Sequence, residues 1–161
     1  MSKRALAIIS TLAAAPAVAL LSLAGPANAA TPSPGYFSET TSLLGQGSYD
    51  SATFRTPAGA GDCVRTASSV TLSPISGSNN TQAVATWRST AYTGHTNNAD
   101  IWHMKFEFLT SDGRIAASTP TLDSARMSRT NTPYSWSRSV VVNIDPANYR
   151  VLTAVRAYNS C

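Results

Sequence analysis

Charge is scarce in this chain: 12% of its 161 residues are Asp, Glu, Lys or Arg, and lysines and arginines never form a run. Nucleic-acid binding therefore lacks the clustered positive charge on which it draws. Histidine is thinner still, with only His95 and His103. No H-E-x-x-H, phosphate-loop, dinucleotide or G-x-S-x-G pattern occurs, so the motif-bearing zinc proteases, nucleotide enzymes and α/β-hydrolases are excluded. Past residue 24 no apolar run approaches the roughly 20 residues that a membrane helix needs. Repeats of solenoid or propeller length are also missing, and no segment alternates helix with strand as a parallel β/α fold requires.

What is present begins with an address. Lys3 and Arg4 precede an apolar run over residues 5–24, and Ala27-Asn28-Ala29 supplies small residues at a cleavage site. Residues 1–29 are thus predicted to be a signal peptide that is removed, leaving a secreted chain with no membrane segment. Of the formal charge of +4, two units reside on Lys3 and Arg4, so the exported chain is only mildly basic. Lys105 is its one lysine against many arginines, a bias that suggests a GC-rich bacterial genome. Cys63 and Cys161 are the only cysteines, and in an oxidising destination they are expected to form one disulfide. Cofactors are not implied by any motif, and the size suits a single domain and a monomer.

Residues 30–61 are rich in Pro, Gly, Ser and Thr and read as an irregular N-terminal segment with one strand over 47–56 and a helical turn over 38–44. The core is expected over 62–161. There, 63–72, 82–92, 100–109, 114–118, 134–144 and 149–159 carry strand patterns separated by turn clusters. In 63–72, Val64, Val70 and Leu72 share a parity. LDSARM (122–127) suggests a helical turn, and DPAN (145–148) a tight turn. The fold class is all-β, an antiparallel two-sheet sandwich of about six to eight strands closed by one disulfide, with a small β-barrel as the alternative. In outline, a sandwich tied from its first core strand to its last residue looks like a bacterial polysaccharide-binding module. That likeness is architectural and carries no residue across.

The segment DIWHMKFEFL (100–109) is the most regular. Trp102, Met104, Phe106 and Phe108 share one parity and His103, Lys105 and Glu107 the other, as expected of a half-buried strand. Trp102 and Trp136 read as core. Trp87 is ambiguous, because neither parity of 82–92 is clearly apolar. If 82–92 and 100–109 pair as a hairpin with Tyr92 opposite Asp100, Trp87 joins His103, Lys105 and Glu107 on one exposed face. A slip of one residue sends it inward.

Function is therefore expected to be non-catalytic binding, through Trp87, His103, Lys105 and Glu107, of a carbohydrate or another protein. An inhibitor of an extracellular enzyme is one form of the latter, using a loop at 73–81, 93–99 or 119–133. In the third loop Arg126, Met127 and Arg129 suit a protease pocket. The alternative is a small secreted hydrolase using His103 with Glu107 or Asp100, with His95 nearby in sequence. Asp100 and His103 have opposite parity on a strand, which weakens that set. No third metal ligand accompanies them, so no metal site is expected.

Overall fold

The computed structural model describes residues 35–45, 48–79 and 81–161. The predicted signal peptide lies outside the described residues. Among the described residues, eleven strands and one short helix follow in order: β1 (Tyr36–Ser42), β2 (Leu44–Gly45), β3 (Asp50–Thr53), β4 (Ala58–Ala60), β5 (Cys63–Pro74), β6 (Gln82–Thr93), β7 (His103–Thr110), β8 (Ile115–Ser118), β9 (Leu122–Asp123), β10 (Tyr134–Asn143), α1 (Pro146–Tyr149) and β11 (Leu152–Ser160). Two antiparallel sheets result. One runs β1-β11-β7-β8 with β9 also on β7, and the other runs β10-β6-β5-β3-β2 with β4 also on β5. They are not closed into a barrel, and the Cys63–Cys161 disulfide is present. No helix among the described residues is long and apolar enough to cross a membrane.

The core lies between the sheets and is built from the apolar parity of each strand. Met104, Phe106 and Phe108 of β7 are fully buried, as are Val70 and Leu72 of β5 and Val155 and Ala157 of β11. The rings interlock edge to face: Trp87 stands 5.2 Å from Trp136 and 6.3 Å from Phe106, and Phe37 stands 6.3 Å from Trp102. Such pairs add about 0.5–1.5 kcal/mol beyond the area they bury. Trp102 and Trp136 are core, as their parity implies.

Several local expectations are corrected. The described residues of the N-terminal segment hold four short strands where one was expected. Residues 38–44 form no helical turn; they extend into β1 because β11 offers seven consecutive partners, from Tyr36↔Ser160 to Ser42↔Ala154. LDSARM is extended as well, carrying β9 and then a bridge from Met127 to Asp100. DPAN becomes the start of α1, where the Asp145 carboxylate accepts from the Ala147 amide at 2.8 Å and Pro146 opens the helix. The β7–β8 turn falls on Ser111-Asp112-Gly113, with Gly113 at a φ of +81°, a conformation glycine adopts without a Cβ penalty.

The parity of β5 is corrected too. A bulge between Arg65 and Ala67 shifts its register against β6, and one extra residue flips the side chains beyond it. Cys63 and Arg65 point inward before the bulge, and Ser68, Val70 and Leu72 point inward after it. Val64, grouped with Val70 by simple alternation, is only half-buried and faces away.

The bulge brings a charge into the core. Arg65 is fully buried, with Glu39 Oε1 of β1 at 2.6 Å from Nη2, the Arg55 carbonyl at 2.7 Å and Asn159 Oδ1 of β11 at 2.8 Å. Phe37, Phe54 and Trp102 surround the guanidinium with ring centroids at 5.7–5.8 Å. Burial pulls Arg65 below its ordinary range, opposed by the Glu39 carboxylate. This network joins the two sheets beside the disulfide.

Candidate functional site

The outer face of the β1-β11-β7 sheet carries the candidate site. Alternation along β7 turns His103, Lys105 and Glu107 outward while Met104, Phe106 and Phe108 fill the core. On β11 the outward partners are Ser160 opposite His103, Tyr158 opposite Lys105 and Arg156 opposite Glu107. On β1, Tyr36 stands opposite Ser160 and Ser38 opposite Tyr158. Directly opposed residues share a face, so three strands present a continuous polar and aromatic surface.

A concavity of about 370 Å³ opens on this surface. Tyr36, Ser38, His103, Lys105, Thr121, Tyr158 and Ser160 contribute to its lining. Tyr36 is 78% exposed and Tyr158 39% exposed, so both offer ring surface to a ligand. The Lys105 ammonium lies 5.8 Å from the Tyr158 ring centroid, within cation–π range, and 3.5 Å from Glu107 Oε1. Glu107 is the anchor of this cluster: it is buried, accepts from the Tyr158 hydroxyl at 3.0 Å and meets Arg156 Nη1 at 3.4 Å. The Tyr158 hydroxyl, and after it the Glu107 charge, hold the Arg156 guanidinium above its ordinary range. One carboxylate thus faces two cations. Tyr158 is held in orientation by Glu107, and Lys105 remains half-exposed at the edge of the concavity.

His103 has a different partner from either expected one. Its Nδ1 lies 2.7 Å from Asp123 Oδ1 on β9, and both side chains are substantially open to solvent. Arg138 of β10 donates through Nε to the Asp123 carbonyl at 3.0 Å, which ties the end of β9 to the other sheet. Glu107 is on the face of His103 but is occupied by Tyr158, Arg156 and Lys105. Asp100 is elsewhere, clustered with Asp62 and Cys63 within 4.8 Å. The Cys63 sulfur is consumed by the disulfide, so two carboxylates remain there, short of the three protein ligands of a zinc centre. His95 is exposed in the β6–β7 connection, where its carbonyl accepts from the Thr93 hydroxyl.

Trp87 is the main correction. It is fully buried, with Nε1 donating to Ser68 Oγ at 3.2 Å, and offers no surface to a ligand. The hairpin that would have exposed it does not form. β6 pairs with β5 and β10, while β7 belongs to the other sheet and pairs with β11, β8 and β9. Trp87 therefore packs between the sheets against Phe106 of β7. Arg126 is exposed between β9 and β10 and is not part of the concavity lining. Its neighbour Met127 is fully buried, with its backbone bonded to Asp100 in both directions, and cannot enter a protease pocket.

The residues that alternation alone missed are Tyr36, Tyr158, Ser160, Thr121 and Asp123. Tyr158 was readable as part of the outward row of the last strand, and Ser160 continues that row one residue past the expected strand end. Tyr36 follows a Pro/Gly-rich stretch that conceals the start of β1, and Asp123 becomes a partner of His103 only through a two-residue strand.

Residues 80–161 match the sequence pattern of DUF6294, a family of unknown function. No curated protein matches the chain. Among solved structures, the enzymatically active domain of bacteriophage CBA120 tailspike protein 4 aligns with a TM-score of 0.21 and 11% identity. The alignment covers 78% of this chain and 17% of that one, and a likeness so slight carries no functional argument.

Proposed function

We propose that this chain, which belongs to the DUF6294 family, is an exported binding protein whose ligand is a carbohydrate. The supporting observation is the concavity on the β1-β11-β7 face, where two exposed tyrosines flank polar groups. An aromatic face packs against the C–H face of a sugar ring, while a few fixed donors and acceptors read its hydroxyls. Tyr36 and Tyr158 supply the first element. His103, Lys105, Ser38, Ser160 and Thr121 supply the second. Export is supported by the leader pattern of residues 1–29 and by the disulfide, a bond favoured in oxidising compartments. A protein partner held by an arginine loop has less support, because Met127 is withdrawn into the core and leaves Arg126 and Arg129 as isolated exposed side chains.

The test is retention of the chain on a panel of insoluble and immobilised polysaccharides, with Tyr36→Ala alongside. Truncating an aromatic anchor commonly costs about 2 kcal/mol or more, so Tyr36→Ala is expected to weaken retention at least tenfold. Equal retention of both proteins, or none by either, refutes the reading.

A further inference from the structure

Four residues occupy one cross-strand row on the face of the concavity. Asp123 of β9 is the register partner of His103 of β7, His103 is the partner of Ser160 of β11, and Ser160 is the partner of Tyr36 of β1. Opposed residues on antiparallel strands hold their β-carbons about 4.5–5.5 Å apart on one face. The row thus runs carboxylate, imidazole, hydroxyl, aromatic. The first link is made: Asp123 Oδ1 binds His103 Nδ1 at 2.7 Å. A carboxylate that accepts from Nδ1–H leaves the lone pair on Nε2, the tautomer a general base requires. Ser160 and His103 both line the concavity, and the structure records no hydrogen bond between them. Catalytic bonds of this kind commonly close only when substrate is seated. Ser160 is also anchored, since the next residue, Cys161, is bridged to Cys63 and its amide donates to the Gly35 carbonyl.

We propose that Ser160, His103 and Asp123 form a hydrolytic row that removes an acyl group from a carbohydrate ester seated in the concavity, an inference that rests on the carbohydrate reading of this site. Ser160 Oγ bonds to the ester carbonyl carbon as His103 Nε2 takes the hydroxyl proton. The tetrahedral oxyanion collapses, the bond from carbon to sugar oxygen breaks, and His103 returns the proton to the departing sugar hydroxyl. Water then attacks the acyl-serine, giving its proton to His103. The carboxylic acid leaves, and the proton returns to Ser160 Oγ. Asp123 is the positioning residue, holding the imidazole tautomer. Lys105, two residues along β7 from His103 and lining the same concavity, is the cation available to the oxyanion.

The experiment treats the full chain with a fluorophosphonate probe and maps the adduct by peptide mass spectrometry. Hydrolysis of 4-nitrophenyl acetate and of acetylated xylan is measured in parallel, and retention on acetylated xylan is measured separately. An adduct is expected on Ser160 and not in Ser160→Ala, together with a loss of about 10²–10⁴-fold in kcat for His103→Ala. Asp123→Asn is expected to lose a similar factor and to displace the acid limb of the pH–rate profile, which a merely structural role would not do. Asp123 is more than half exposed, so this variant carries the test if Ser160→Ala fails to fold. Retention on acetylated xylan without hydrolysis or labelling overturns the hydrolytic row and spares the carbohydrate reading. Failure of both retention and hydrolysis overturns both. Labelling that persists in Ser160→Ala also overturns the proposal.

Discussion

Replacing Glu39 by Gln isolates the charge that the fold takes into its core. Arg65 is fully buried, and three aromatic rings stand within 5.8 Å of its guanidinium. In Glu39→Gln the guanidinium keeps the Asn159 and Arg55 acceptors at 2.8 and 2.7 Å, so the perturbation removes a counter-charge and not the whole hydrogen-bond set. Removing one member of a buried pair costs about 3–5 kcal/mol. The Glu39 side chain retains 16% exposure, which admits some solvent screening and puts the expected loss at the lower end, about 3 kcal/mol. A domain of this size has about 5–15 kcal/mol in all, so the loss is readily seen by equilibrium urea unfolding. The midpoint should fall with little change in slope. The double variant Glu39→Gln, Arg65→Met removes the stranded charge and keeps an apolar stem between the rings, and should be more stable than Glu39→Gln alone. A loss below about 1 kcal/mol, the range of exposed pairs, would refute the claim that the rings withdraw this ion pair from water.

Trp87→Ala should cost about 3–5 kcal/mol of stability, the usual penalty for an aromatic deleted from a core, and leave polysaccharide retention of the folded fraction unchanged. Lost retention with stability intact would return Trp87 to the binding surface. Tyr149 is pushed up to about 12 from an ordinary 10.0, by burial first and then by Asp50. Its proton binds more tightly in the folded state, so the stability it contributes is complete below about pH 10 and is lost as the pH rises towards 12. Absorbance at 295 nm should show one tyrosine ionising near pH 12, and Tyr149→Phe should remove that step. An unchanged titration curve in the variant would contradict the assignment.

Much of the sandwich was legible because its strands alternate cleanly. The row Met104, Phe106, Phe108 and the single cysteine pair led directly to a half-buried strand and a closing disulfide. Alternation says which residues of a strand share a face; it does not say which strand lies alongside. β6 and β7 are neighbours in sequence and lie in different sheets, so the hairpin that would have exposed Trp87 was the wrong pairing. β1 was hidden for a different reason. Its inward row is Phe37, Glu39 and Thr41, and a carboxylate there reads as solvent-facing unless Arg65 is known to await it. Arg65 in turn is inward only because of a bulge, and a one-residue bulge leaves no mark on composition. The site inherits both gaps: the polar row of β7 was visible, while Tyr36 and Asp123 reach it through β1 and β9, whose pairings are set at long range.

On the proposed reading, ligand binds on the β1-β11-β7 face. Backbone amide chemical shifts of the ¹⁵N-labelled chain, followed by NMR as a retained polysaccharide or its soluble oligomer is added, test it most directly. Perturbations are expected to concentrate at residues 36–38, 103–105 and 158–160, with little change along β10 and the outward positions of β6. Shifts centred on the β10-β6-β5 face, or on the segment carrying Arg126, would contradict it.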